Sequence, residues 1–96
     1  MLIPASSTEF MRIEVTAPAG VDLTGVPVRI AAVAHADNPA DGEWRTAEWA
    51  TATEARILVG PDSTLELARG TYRVWIHVDP AGPENITRPS GLLLIT

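Results

Sequence analysis

A strict alternation of apolar and polar side chains over residues 72–79 constrains the fold more than any other feature of this sequence. Tyr72, Val74, Ile76 and Val78 alternate with Arg73, Trp75, His77 and Asp79. A period of two residues is that of a β-strand with one face buried and the other face in water. The segment therefore predicts a half-buried strand that carries Trp75 and His77 on the face away from the core.

Alternation of the same kind recurs along the chain and predicts further strands. These lie at residues 10–16, 26–35, 55–59 and 65–67, and the largely apolar residues 92–96 form a closing strand without alternation. Residues 44–49 suit a short helix and an edge strand equally well. Turn formers at residues 17–20, 36–42, 60–63 and 80–89 separate the segments. About seven short strands separated by glycine and proline are typical of an all-β, antiparallel sandwich.

Tyr72 adds a finer indication about the type of sandwich. In immunoglobulin-like sandwiches, a tyrosine near the start of the penultimate strand bonds its hydroxyl to the backbone of the preceding corner. Residues 67–71 would form that corner here. The alternative is a core aromatic whose hydroxyl reaches the surface, and the residues alone leave both interpretations open.

The length of 96 residues suits a single domain with one modest core. Residues 10–96 form the predicted sandwich. Residues 1–9 have no strand period; they form either a ragged end or, as we predict, an arm that lies across a neighbouring subunit. Large apolar side chains dominate the energetics of protein interfaces. The predicted partner-binding residues are Leu2, Ile3, Phe10, Trp75 and His77.

Charge and composition exclude several classes of function. The net charge is -5, and the seven cations are arginines scattered singly along the chain. Nucleic-acid binding needs a clustered positive face, so we expect no nucleic-acid partner. The absence of cysteine excludes disulfides, thiolate metal sites and a cysteine nucleophile. No apolar run is long enough to cross a bilayer, so we expect no membrane partner.

Residues capable of catalysis are present but do not form a recognisable pattern. His35 and His77 are the first candidates for metal binding or acid–base chemistry, yet a metal site needs three or four converging ligands. The serines lie in tails and turns without a nucleophile-elbow pattern. Acidic pairs such as Asp41 with Glu43 have the spacing of solvated loops. We therefore predict no enzymatic activity, no metal and no cofactor.

The three tryptophans carry more information than the charged residues. Trp44, Trp49 and Trp75 account for three of the five aromatic residues of phenylalanine, tyrosine and tryptophan type. An aromatic ring on the outer face of a sheet either covers a neighbouring loop or anchors a partner. An exposed tryptophan can also stack on a sugar ring, and a carbohydrate-binding accessory module is therefore the alternative hypothesis.

The order of these signals resembles a known class of proteins. The segments that carry the resemblance are Val21-Asp22-Leu23-Thr24-Gly25, residues 67–72, Tyr72-Arg73-Val74-Trp75-Ile76-His77-Val78 and Gly91-Leu92-Leu93-Leu94. In this order they resemble small immunoglobulin-like proteins encoded by tailed phages and prophages of actinobacteria. They are similar, more loosely, to the N-terminal domains of phage upper baseplate proteins. The resemblance spans roughly residues 10–96.

The resemblance implies an immunoglobulin-like fold and a structural role in the virion. The position on the particle would be capsid decoration, the head-to-tail neck, or the tail and its baseplate. Its partners would be other virion proteins and copies of itself. The chain would be made in the host cytoplasm and located in the virion.

Overall fold

Two β-sheets make up the fold in the computed structural model, which describes residues 1–15, 23, 25–79 and 86–96. The strands in these ranges are β1 (Leu2–Ile3), β2 (Glu9–Glu14), β3 (Val28–Val33), β4 (Arg45–Thr46), β5 (Glu48–Thr51), β6 (Glu54–Val59), β7 (Gly70–Val78) and β8 (Ile86–Ile95). A single 3-10 turn at Asp41–Glu43 is the helical element of the described ranges. The prediction of an all-β protein is confirmed.

The strands are divided unevenly between the two sheets. The large sheet has the order β1-β8-β7-β3-β4, and the small sheet has the order β2-β6-β5. Every neighbouring pair is antiparallel except β1 and β8, which run parallel with Leu2 beside Leu94 and Ile3 beside Ile95. The prediction of a purely antiparallel sandwich is therefore wrong at this one edge.

The core lies between the inner faces of the two sheets. It contains apolar side chains that the alternation assigned to buried faces, among them Met11, Ile30, Ile57 and Val74, together with Leu93 of β8. Each of these five is at most 3% exposed. Burial of one such side chain contributes about 1.5–3 kcal/mol relative to leaving it in water, so this layer supplies the main driving force for folding.

Residues 44–49 form edge strands rather than a helix. The chain leaves the large sheet after β4 and enters the small sheet at β5, with Ala47 between them. Trp49 fixes this passage, because its indole N–H donates to the carbonyl of Val26 at 2.9 Å and its ring packs against the core. The choice between helix and strand at residues 44–49 thus depends on a contact with Val26, which is distant in the sequence.

Two predicted element boundaries are wrong. Residues 65–67 form no strand, and Leu65 makes only an isolated bridge to Val59. Residues 86–89, predicted as part of a loop, belong to β8, where Ile86 pairs with Val78. The remainder of that loop, residues 80–85, and the predicted turn at residues 17–20 lie outside the described residues.

The N-terminal segment stays on its own domain, which corrects the prediction of an arm at residues 1–9. Leu94 N–H donates to the carbonyl of Met1 at 2.8 Å, Thr96 N–H to that of Ile3 at 3.1 Å, and Ala5 N–H to that of Thr96 at 2.8 Å. Ile3 is 3% exposed and joins the core, while Glu9 already belongs to β2. Burial of Ile3 beside the inward-facing end of β8 explains why the segment does not extend outward.

Tyr72 closes the corner before β7. Its hydroxyl donates to the carbonyl of Ala68 at 2.7 Å, and its ring packs against the core. The two interpretations left open by the sequence therefore combine: the ring belongs to the core and the hydroxyl holds the backbone four residues upstream.

Gly60 allows the backbone that follows β6 to pass close to the backbone that precedes β2. Its φ is +127°, and a Cβ at this position would collide with the backbone carbonyl oxygen of Ser7 and lie 2.8 Å from Cα of Thr8. Backbone atoms cannot move aside as a flexible side chain does. The crossing from β1 to β2 therefore depends on a residue without a side chain at position 60.

We expect Gly60→Ala to lower the free energy of unfolding by about 2 kcal/mol, because it combines overpacking with a left-handed backbone. Urea unfolding followed by circular dichroism measures the change. Gly42→Ala is the matched control, since a Cβ at Gly42 meets nothing within 4 Å, and its effect should stay within about 0.5 kcal/mol. Equal effects of the two substitutions would contradict the close approach at Gly60.

Candidate interaction surface

The outer face of the large sheet exposes a contiguous group of apolar side chains. Leu2, Leu92 and Leu94 are 58%, 57% and 40% exposed, and the pairing of β1 with β8 places all three on this face. We call these three leucines the apolar patch. Three of the five strongly exposed large apolar side chains in the described residues thus lie on one face, where scattered single exposures would be ordinary.

The register of β8 brings the apolar patch together. Successive side chains of a strand point to opposite faces, so the unbroken apolar run at residues 92–95 must place two members in the core and two in water. Leu93 and Ile95 are 0% and 4% exposed. Leu94 lies beside Leu2 on one side and Thr71 on the other, and Leu92 lies opposite Arg73. The patch is therefore bordered by polar side chains of β7.

Further along the same face, a second apolar layer is covered rather than exposed. Ala31 and Val33 are 0% and 2% exposed, although they lie on the face of β3 opposite the core residues Val28 and Ile30. Trp75 lies directly across from Ala31 in the ladder between β3 and β7. This face therefore changes from exposed leucines at β1 and β8 to enclosed side chains at β3.

Trp75 and His77 are held within the enclosed part. The ring of Trp44 lies 5.6 Å from the ring of His77 at a tilt of 59°. His77 Nδ1 is 2.9 Å from the hydroxyl oxygen of Thr87. The indole Nε1–H of Trp75 is buried and has no acceptor among the described residues. Both side chains are partly buried by their own chain, whereas the three leucines are exposed.

A hydrogen-bonded pair secures the loop that carries Trp44. His35 Nε2 lies 2.9 Å and 3.1 Å from the two carboxylate oxygens of Glu43, and the backbone N–H of Ala40 donates to the same carboxylate at 2.8 Å. The bond to Glu43 raises the pKa of His35. The bond from Ala40, followed by that from His35, lowers the pKa of Glu43. The two side chains carry opposite charges between these two pKa values.

Phe10 lies on the opposite side of the molecule. It is 40% exposed on the outer face of the small sheet, and the guanidinium carbon of Arg56 lies 4.2 Å above its ring. Arg56 in turn pairs with Glu48 at 2.8 Å. Phe10 is thus separated from the apolar patch by the thickness of the sandwich.

The structure divides the predicted partner-binding residues into three groups. Leu2, Trp75 and His77 share the outer face of the large sheet, Phe10 lies on the outer face of the small sheet, and Ile3 lies in the core. The sequence interpretation missed Leu92 and Leu94. The signal was the apolar run at residues 92–95, which no half-buried strand can hide completely.

The described residues offer little that resembles a catalytic site. They contain no group of three or more histidine, aspartate or glutamate side chains placed to hold a metal ion. An open depression of about 380 Å³ is lined by Ala5, Gly60, Pro61, Glu66, Leu67 and Ala68. Glu66 is its one ionisable side chain, so the depression lacks a partner for acid–base chemistry. No helix in the described ranges has the length and apolar character required to span a membrane.

We expect Leu92→Thr and Leu94→Thr each to change the free energy of unfolding by no more than about 0.5 kcal/mol, because both side chains lie on the exposed face of the sheet and not in the core. Leu93→Ala, the control between them, should cost about 3 kcal/mol through the cavity it leaves. Urea unfolding of the three variants provides the comparison. A loss at Leu92 or Leu94 as large as that at Leu93 would show that the exposed leucines serve folding rather than contact.

Comparison of this chain with protein-family models, with curated proteins and with solved structures found no match.

Proposed function

We propose that this protein is a non-enzymatic structural component of a tailed bacteriophage particle, an immunoglobulin-like module that binds other virion proteins through its apolar patch. The observation that carries the contact function is the collection of Leu2, Leu92 and Leu94 on one surface. The assignment to a phage particle is carried by the sequence resemblance over residues 10–96.

The strand order supports the immunoglobulin-like part of the proposal. In that fold one sheet contains strands B, E and D side by side, and the other contains G, F and C, extended by C′ in some members. Assigning β2, β6 and β5 to B, E and D, and β8, β7, β3 and β4 to G, F, C and C′, reproduces both orders. β1 then adds a strand outside G. β1 is therefore the one strand by which the structure exceeds the seven strands expected.

The corner before β7 supports the same assignment. Tyr72 stands near the start of the strand assigned to F, and its hydroxyl bond to Ala68 has the form of the tyrosine corner of immunoglobulin-like domains. Val74, two residues later, is 3% exposed and occupies the position at which antibody domains carry their second disulfide cysteine. An apolar side chain in that position suits a chain without cysteine.

The chemistry of the apolar patch suits a protein partner. The buried centre of an interface is apolar and surrounded by polar groups, and arginine is enriched in such interfaces. The three leucines provide the apolar centre, while Thr71 and Arg73 border it on β7. Leaving these leucines in water forgoes the free energy that burying them against a partner would contribute.

The glycine-containing segments of the resemblance support a structural role. Leu23 is 6% exposed in the core, and Gly25 has a φ of +87°, which suits a turn that leads into β3. Gly70, at the start of β7, has a φ of +151°. These residues shape turns and hold strands in place, and they assemble no ligand site.

The alternative of a carbohydrate-binding module receives less support. A sugar platform needs an exposed aromatic face. Trp49 is instead hydrogen-bonded and packed against the core, and the ring of Trp44 lies near the ring of His77. The indole N–H of Trp75 is buried. All three tryptophans are partly buried. A protein-contact role would use the exposed leucines of the apolar patch, whereas a sugar-binding role would need the tryptophans, which are partly buried.

We expect the protein to be present in purified particles and Leu94→Glu to reduce its incorporation by at least about tenfold, because a charge would be buried in the contact. Quantitative mass spectrometry of particles produced in host cells measures the incorporation. Thr46→Glu is the control, since Thr46 is exposed on β4, at the edge of the large sheet opposite to β1 and away from β2.

Absence of the protein from purified particles would contradict the assignment to the virion. Normal incorporation of the Leu94→Glu variant would contradict the role of the apolar patch and leave the virion assignment standing.

A further inference from the structure

The edges of the two sheets differ in how well they resist pairing with another strand. An unpaired edge is a template for a further strand unless it is short, bulged or interrupted by proline. β4 has only two residues, and the register of β5 shifts between Trp49 and Thr51. The part of β8 beyond β1 carries Pro89, and the register shifts there as well. Among the described strands, β2 has a six-residue edge that is neither bulged nor interrupted by proline, and its exposed charged residues are Glu9, Arg12 and Glu14.

The backbone groups on that edge can be identified from the ladder with β6. Val15 N–H donates to the carbonyl of Thr53 at 2.7 Å and continues the antiparallel register in which Ile13 lies opposite Ala55. Hydrogen-bonded and non-bonded pairs alternate along an antiparallel ladder. Ile13 and Met11 therefore direct their backbone groups toward β6, and Arg12 and Glu14 direct theirs outward, away from the sheet.

The outward positions carry charges that are complementary to their own copy. Arg12 and Glu14 are exposed and lie on the outer face of the small sheet. In an antiparallel pair centred on Ile13, Arg12 of each chain lies opposite Glu14 of the other, so opposite charges meet twice. A pair centred on Arg12 would instead place the two arginines against each other. Charge therefore favours the register centred on Ile13 over the register centred on Arg12.

We propose that β2 pairs with β2 of a second copy of this chain, antiparallel about Ile13, and joins the two small sheets into one six-stranded sheet. Each pair of Arg12 and Glu14 then exchanges two backbone hydrogen bonds, as outward-facing pairs of an antiparallel ladder do. This contact involves a different sheet from the apolar patch and goes beyond the proposed function. If β2 did not pair with a second copy, the proposed role of the apolar patch would still stand. If the apolar patch bound no virion protein, the proposed dimer would still stand.

Charge reversal tests the register. Arg12→Glu places two pairs of like charges across the contact, as does Glu14→Arg, and each is expected to raise the dimer dissociation constant about tenfold. The double variant restores opposite charges and should return the constant to near its original value. Sedimentation equilibrium from roughly 10 μM to 1 mM covers the range of a weak contact.

Glu48→Arg is the matched control for these variants. It lies on the other edge strand of the small sheet and loses its intrachain ion pair with Arg56, just as Arg12→Glu loses its ion pair with Glu54. We expect it to leave dimerisation unchanged. A monomer throughout the concentration range, equal weakening by Glu48→Arg, or failure of the double variant to recover would each overturn the proposal.

Amide hydrogen exchange of the unsubstituted protein provides a test that needs no variant to fold. The amides of Arg12 and Glu14 point away from β6, and no bond from them to the described part of the chain is found; they should exchange at least about tenfold more slowly once the dimer dominates. The amide of Ile13 is already bonded to β6 and should change much less. Exchange of Arg12 and Glu14 that is independent of protein concentration would overturn the pairing of β2 with its copy.

Discussion

The pairing of β8 between β7 and β1 is the interaction on which the outer surface of this protein depends. Because the side-chain period of a strand is two, a slip of one residue would exchange the buried and exposed sets. The long ladder with β7 and the short parallel ladder with β1 both place Leu93 and Ile95 inward. Leu92 and Leu94 must then lie on the outer face of the sheet. The apolar patch therefore follows from the register of β8 and not from a sequence motif.

Alternation predicted the buried faces of the long strands well, because the face of a strand is a local property. It placed Val74 and Ile76 in the core and Trp75 outside it, as the structure has them. Pairing partners are not local, which is why the parallel edge formed by β1 was not predicted. A strand of two residues is too short to show a period of two. Ile3 is buried because β1 pairs with β8, which is distant in the sequence.

The candidate surface was predicted in part for the same reason. Trp75 and His77 were assigned to the correct face, but their enclosure depends on Trp44, which arrives from a loop more than thirty residues earlier in the sequence. The exposure of Leu94 was open to prediction, since a run of four apolar residues cannot fit on one face of a strand. The sequence interpretation treated that run only as a closing strand.

The register of β8 can be measured directly in solution through the methyl groups of residues 92–95. A soluble gadolinium chelate broadens the NMR signals of methyl groups that it can approach. We expect strong broadening of Leu92 and Leu94 and little effect on Leu93 and Ile95, which are almost completely buried. The opposite pattern, or equal broadening of all four, would contradict this register and with it the apolar patch that the proposed function requires.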